Sequence, residues 1–252
     1  MPSASDPGVS TPPAPPPLAS LLADGRVALF LDFDGTLVEL APGPDAIAPL
    51  ADMGERLAGL ADRLGGACAV VSGRAISDIE RHIGALAVPA AGSHGSDIRF
   101  PDGERHGNSA QGLPKAIEAS LRSFADEHDL DYEHKPHGGA LHYRRNPENG
   151  SKAVAFAQDL AQQHGWAAQS GKCVVELVAN DANKGSAVAT LMAMAPFAGA
   201  VPFFIGDDLT DEAGFRACQD AGGAGILVGD RQGSCAQYAI TDVASVHQWL
   251  EL

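Results

Sequence analysis

Leu29-Phe30-Leu31-Asp32-Phe33-Asp34-Gly35-Thr36-Leu37 is the stretch from which the rest of the chain is read. The apolar run leading into it, residues 27–31, offers no polar side chain at alternate positions and so reads as a strand buried on both faces. The run stops at Asp32, and Asp34 follows two residues later. Residues two apart in extended backbone point the same way, so both carboxylates can face one site at the strand's C-terminal end. Gly35 then lets the chain turn sharply. Two carboxylates ~4 Å apart, at an effective dielectric of about 20, repel by roughly 4 kcal/mol. A proton, a bound cation or both relieve that repulsion. An ionised aspartate can act as a nucleophile and form an aspartyl-phosphate, while a protonated neighbour serves first as general acid and then as base. The same pair also suits a turn that caps the next helix, and alone it does not choose between the two.

Composition narrows the partners. With 252 residues, 45% of them apolar, the chain can bury one large or two modest domains. A formal net charge of −15 argues against nucleic acid or an anionic membrane as the main partner. An acidic protein that handles anions must instead gather positive charge locally. Cys68, Cys173, Cys218 and Cys235 are scattered without a CxxC pair, as in a reduced, cytoplasmic protein. No apolar run reaches membrane-spanning length. The opening segment, rich in Pro, Ser and Ala, lacks the basic start and apolar core of a signal peptide, and residues 1–19 are expected to form a disordered tail.

Along the chain, helical spacing over residues 48–64 ends at Gly65-Gly66. A short strand over 67–71, a helix over 76–83 and a weak strand over 88–91 follow. The arms 96–100 and 104–106 flank Pro101-Asp102-Gly103 as a hairpin. The pattern then changes: a helix over 114–128, strands over 131–135 and 140–145, a helix over 147–164, and strands over 166–170 and 173–178 around Gly171-Lys172. The first pattern returns with a helix over 184–195, a strand over 201–205, a helix over 211–219 and a last strand over 225–229. The expected fold class is α/β. A Rossmann-like parallel-sheet core spans 20–110 and 180–252, interrupted by an inserted α+β cap at 111–179, with its ligand at the carboxyl edge of the sheet.

Three further segments end apolar strands or open helices. Ser72-Gly73-Arg74 offers a hydroxyl and exposed N–H groups that suit phosphate oxygens, or an ordinary N-cap. Lys184 opens a helix, the unfavourable end of the dipole for a cation, which makes sense if it pairs with an anion. Gly206-Asp207-Asp208-Leu209-Thr210-Asp211 supplies hard oxygen ligands suited to Mg2+, with Asp211 either supporting them or capping the next helix. If the strands align, Asp32, Asp34, Asp207 and Asp208 converge, with Lys184 and Ser72 facing them.

In this order, Asp32-Phe33-Asp34-Gly35-Thr36, Ser72, Lys184 and Gly206-Asp207-Asp208 with Asp211 resemble the four motifs of the haloacid dehalogenase-like phosphatases. From residue 27 onward the chain is similar to the trehalose-6-phosphate phosphatases of that superfamily, through Val71-Ser72-Gly73-Arg74, Ala91-Gly92-Ser93-His94-Gly95, Leu141-His142-Tyr143-Arg144 and Gly171-Lys172-Cys173-Val174-Val175-Glu176. The resemblance implies a Mg2+-dependent hydrolysis of trehalose 6-phosphate, with a trehalose-phosphate synthase as functional neighbour. Asp32 would be the nucleophile and Asp34 the acid and base. Mg2+ would be held by Asp32, the Phe33 carbonyl and Asp207, with Asp208 and Asp211 assisting and Asp34 close by. Ser72, Gly73, Arg74 and Lys184 would bind the phosphoryl group. Glu133, Lys135, Glu176 and Arg144 of the cap would grip the sugar, with a weaker core contact from His94. Where the family often has Glu two residues beyond the His-Gly pair, this chain has Asp97.

Beside that resemblance, Glu133 and Lys135 also suit a solvated ion pair. Glu176 sits amid apolar neighbours and needs a partner, either sugar hydroxyls, Lys172 or Lys135. His134, His137 and His142 crowd the same region without zinc-like ligand spacing and read as polar surface or sugar contacts. Trp166 and Trp249 read as packing residues. The competing readings are a related sugar-phosphate phosphatase or phosphomutase with the same core chemistry, and a non-catalytic regulator that binds the phosphosugar.

Overall fold

In the computed structural model, Val27–Leu31 forms strand β1, buried along its whole length. The structure describes residues 12–41, 46–106, 112–135, 137–171, 173–179 and 183–252. Strand β1 lies between β2 (Cys68–Val71) and β10 (Val201–Gly206), parallel to both. The sheet continues on one side through β3 (Ala90–Gly92) and the antiparallel hairpin β4 (Asp97–Arg99) and β5 (Arg105–His106). On the other side lie β11 (Ala224–Val228) and β12 (Tyr238–Ile240), giving the order β12-β11-β10-β1-β2-β3-β4-β5.

Strand alternation sends successive apolar residues into two layers. Leu29, Leu31, Val70, Phe203 and Ile205 pack with residues of α1 (Leu18–Asp24), α2 (Met53–Arg63), α3 (Ile76–Ile83) and α8 (Val243–Leu250). Ala28, Phe30, Val71 and Phe204 pack on the opposite side against α6 (Lys184–Met192) and α7 (Glu212–Asp220). Helices therefore cover both faces, and the polar strand ends gather at one edge.

Between β5 and β10 in the chain come the strands of a separate, smaller antiparallel sheet, with order β6 (Asp131–Lys135), β7 (Gly138–His142), β9 (Val174–Ala179), β8 (Trp166–Gly171). Leu141, Val175 and Leu177 from one face pack with Leu121, Ala153 and Ala157 of α4 (Lys115–Glu127) and α5 (Gly150–His164). Cross-strand pairing puts Glu133, Ala140, Glu176 and Gln169 in one row, on the face away from those helices.

Several boundaries differ from expectation. Helix α2 begins at Met53, because Asp52 stands in the left-handed region and Pro49 disfavours a helical Ala48. Helix α6 stops at Met192, ahead of Pro196. Strand β7 starts at Gly138 and ends at His142, earlier at both ends than the expected arm. Strand β11 is not the last: β12 follows, too short to leave a periodic signal. The expected disordered tail is corrected over its final residues. Pro13 O accepts from Ala239 N–H at 2.9 Å and Pro16 O from Trp249 Nε1 at 2.9 Å, and Leu18 is buried. Prolines held extended present carbonyls in register with a strand edge and an indole. The tail expectation for residues 1–11, and the expected crossings near 110 and 180, lie outside the described residues, as does Lys172. Among the described residues no helix is long and apolar enough to cross a membrane.

Candidate active site

The parallel register Leu31 with Ile205 brings the ends of β1 and β10 side by side, and Asp32 N–H donates to Ile205 O at 2.9 Å. Asp32 and Asp207 therefore leave adjacent strands at the same edge. Two glycines permit their approach. Gly35 has φ +76°, and a Cβ there would stand 2.2 Å from Asp207 Oδ2. A Cβ on Gly206 would stand 2.3 Å from Asp211 Cγ.

One oxygen each from Asp32, Asp207 and Asp211 lies within 4.8 Å of the others. Lys184, 3% exposed, places Nζ 2.7 Å from Asp32 Oδ1 and 2.5 Å from Asp211 Oδ1. A capping box sets the start of its helix: Ser186 N–H donates to Asn183 Oδ1 at 2.9 Å and Asn183 N–H to Ser186 Oγ at 3.2 Å. Burial works against the ammonium charge, but Asp211 and Asp32 outweigh it and hold Lys184 protonated. Burial, then the Asp211 charge, pushes Asp207 up to about 7. The same two causes raise Asp32 well above the usual carboxylate range, with Lys184 opposing them.

Once all three are ionised, three carboxylates against one ammonium leave an excess of negative charge, and Asp207 Oδ1 is buried with no hydrogen-bond partner. An orphaned carboxylate oxygen in a hard-oxygen set fits a divalent cation such as Mg2+.

Several of the residues expected here make contacts other than those anticipated. Asp208 stands outside the three-carboxylate cluster, exposed, its Oδ1 accepting from Leu209 N–H at 2.6 Å as an N-cap. Asp211 is the buried member instead, and its Oδ2 accepts Asp208 N–H at 2.8 Å. The Phe33 carbonyl, expected as a metal ligand, accepts Leu37 N–H at 2.9 Å and Val38 N–H at 3.0 Å within the turn. Asp34 is gripped by Arg74, Nε to Oδ2 at 2.6 Å and Nη2 to Oδ1 at 2.7 Å. Arg74 Nη1 reaches Asp78 Oδ2 at 2.7 Å, so the guanidinium expected to bind phosphate is engaged with two carboxylates. Ser72 is buried, and its Oγ accepts Arg74 N–H at 3.1 Å across Gly73.

On the small sheet, Lys135 Nζ donates to Glu176 Oε1 at 2.5 Å, and His94 Nε2, from the turn after β3, lies 3.5 Å from Glu176 Oε2. Burial alone would raise the Glu176 carboxyl, but His94 and Lys135 hold it at about 2. Glu133 pairs with His142 Nε2 at 2.8 Å. Arg144 is exposed beyond the end of β7. Asp97 of β4 meets Arg105 Nη1 at 2.8 Å and His137 Nε2, between β6 and β7, at 3.7 Å, a second contact between segments of the two sheets. Trp166 and Trp249 pack against apolar clusters, as expected.

Sequence reasoning missed Arg231. Its Nε donates to Asp207 O at 3.2 Å and its Nη2 to Asp208 O at 3.2 Å and Glu212 Oε1 at 2.5 Å, bracing the acidic loop from behind. The available signal was a basic residue just past a strand end, at the ligand-bearing edge.

A sequence model of the family described as trehalose-phosphatase matches residues 30–244. The trehalose-6-phosphate phosphatase of Escherichia coli K12 is 34% identical over 232 residues, covering 90% of this chain and 86% of that protein. A probable trehalose-phosphate phosphatase of Sinorhizobium fredii is 38% identical over 205 residues, covering 80% and 77%. The C-terminal domain of the Candida albicans trehalose-6-phosphate phosphatase superposes with a TM-score of 0.80 at 20% identity, covering 97% of this chain and all 100% of that one, a likeness of fold.

Proposed function

The chain belongs to the trehalose-phosphatase family, and we propose that it hydrolyses trehalose 6-phosphate to trehalose and phosphate in the cytoplasm, using Mg2+ and an aspartyl-phosphate intermediate. The observation that carries this reading is the buried Lys184 ammonium between Asp32 and Asp211, beside the orphaned Asp207 oxygen.

In this reading Asp32 attacks phosphorus. Lys184 engages Asp32 Oδ1 at 2.7 Å, which leaves Oδ2 for the attack and aims it. The Lys184 charge and the Ser72 hydroxyl bind the phosphoryl oxygens. Asp32, Asp207 and Asp211 would hold the metal, which when bound supplies positive charge against the phosphoryl oxygens and the three carboxylates. Asp34 delivers a proton to the departing sugar oxygen and then takes one from the water that hydrolyses the intermediate. Both Asp34 oxygens are engaged by Arg74, so Arg74 must yield one of them during the cycle. Arg74 thereby acts on phosphate transfer through Asp34. Glu133, Lys135 and Glu176 offer charged acceptors and a donor to sugar hydroxyls, and the cap sheet excludes water above the phosphate.

The test is phosphate release across trehalose 6-phosphate, glucose 6-phosphate and other sugar phosphates, with and without Mg2+. Turnover of trehalose 6-phosphate that needs Mg2+ and exceeds that of glucose 6-phosphate is the expected result. Equal rates on both substrates would remove the disaccharide assignment.

A further inference from the structure

Ser93 and His94 both adopt left-handed backbone, with φ 48° and 58°. Residues with side chains keep that conformation where their surroundings impose it, and such positions gather at functional sites. Here the imposing contacts come from the Ser72-Gly73-Arg74 loop. Ser93 N–H donates to Arg74 O at 2.8 Å and His94 N–H to Ser72 O at 2.9 Å. The two-residue turn thus clasps both ends of that loop.

The imidazole fills the space above the middle of the same loop. A Cβ on Gly73 would stand 2.7 Å from His94 Cε1 and 2.9 Å from Nε2. From there Nε2 reaches to 3.5 Å from Glu176 Oε2 on β9, while Lys135 holds the other Glu176 oxygen at 2.5 Å. His94 Nδ1 is buried and makes no hydrogen bond. One ring therefore touches the loop of the large domain and the polar face of the small sheet. The Asp97 to His137 contact, at 3.7 Å, joins the same two domains three residues further along the turn.

We propose that His94 is a positioning residue for substrate selectivity: it transmits the seating of the cap on a sugar to the Ser72-Gly73-Arg74 loop, so that phosphate esters whose leaving group fills the space under Glu133, Lys135 and Glu176 are turned over preferentially. Glu176 anchored on a sugar presses against the imidazole, and the imidazole, wedged over Gly73, holds the loop in its working shape. An ester too small to reach the cap leaves that chain of contacts slack. This rests on the sugar-phosphatase reading above.

The test compares trehalose 6-phosphate with p-nitrophenyl phosphate, whose leaving group carries no sugar. In His94→Asn the backbone is tolerated, because Asn is among the residues most often found left-handed, but the side chain is too short to reach Glu176. The ratio of kcat/KM for the disaccharide ester to that for the aryl ester should fall tenfold or more, with most of the loss in kcat. An equal loss on both esters, no loss, or a loss confined to KM would each overturn the proposal. Glu176→Gln should lower the ratio through its own sugar contact and so serves only as the second arm of a cycle; should His94→Asn fail to fold, His94→Gly, which tolerates the left-handed backbone, replaces it. The double variant should lose no more than the worse single, as expected of two residues acting as one unit, and additive losses would also overturn it. If the wild-type protein prefers a different sugar phosphate, the substrate assignment is at fault, and the same ratio measured with that ester still tests His94.

Discussion

Lys184 Nζ lies 2.7 Å from Asp32 Oδ1, with both side chains almost fully buried. The two residues come from distant segments of the chain, one at the end of β1 and the other at the start of α6. Their pairing ties the central strand to the helix covering one face of the sheet, and it aims the carboxylate that the chemistry needs.

That pair predicts the cost of removing the cation. Lys184→Met should leave Asp32 and Asp211 buried without their partner and destabilise the protein by about 3–5 kcal/mol, with turnover reduced at least ~1,000-fold. Urea titration checks the first value. A change below about 1 kcal/mol would mean that water or a bound ion already screens the site.

Asp32→Asn should preserve the fold, since the amide oxygen can still accept from Lys184, while abolishing turnover to below ~0.1% of wild type. Mass spectrometry of rapidly quenched wild-type protein should find phosphate on the peptide containing Asp32, and none in the variant. Phosphate on any other residue would move the nucleophile.

Metal-free protein should become less stable as pH rises from about 5 to 7. Asp207 holds its proton up to about 7 when folded, and Asp32 is raised in the same direction, whereas unfolded carboxyls have lost theirs near their ordinary value of 3.8. In that window the folded state binds more protons, so stability falls with pH. Glu176 and Glu212 are both held at about 2, so they add stability as pH rises through the ordinary carboxylate value and no slope above it. Melting curves of EDTA-treated and Mg2+-loaded protein between pH 5 and pH 7 separate the cases, with a gap that widens with pH. A constant gap would show that these carboxylates do not hold the ion.

Trimming the chain through residue 11 removes none of the contacts described for the N-terminal segment. Trimming through Ala19 removes the Pro13 and Pro16 acceptors and the buried Leu18. Burying a leucine is worth about 1.5–3 kcal/mol and each hydrogen bond about 1 kcal/mol. The shorter form should therefore melt roughly 10 °C lower. Equal melting temperatures would mean that the segment contributes nothing to stability.

Much of this was legible in the chain. The run of residues 27–31 ending in Asp32 announced a buried parallel strand because all its side chains are apolar. The expected helix over residues 76–83 is α3, since its apolar spacing faces the core. The N-terminal prolines were not readable as structure, because what orders them is the edge of β12 and the indole of Trp249, more than two hundred residues away. Arg231 offered only a weak signal, a basic residue just past a strand end, because two of its three partners are backbone carbonyls and the third, Glu212, lies 19 residues away.

By itself the sequence determined which side chains could do chemistry and that they would stand at strand ends, because burial pattern and turn residues are local properties. Only the tertiary structure decided how they divide the work. Asp211 rather than Asp208 joins Asp32 and Asp207, because the turn over Leu209–Asp211 swings one carboxylate inward against Lys184 and spends the other on capping. The Phe33 carbonyl goes to a tight turn, and the Asp34 carboxylate goes to Arg74. The reach of His94 to Glu176 depends on how two separately built sheets face one another. Such choices are made by distances of a few ångströms between segments remote in the chain, where residue order carries no record of who meets whom.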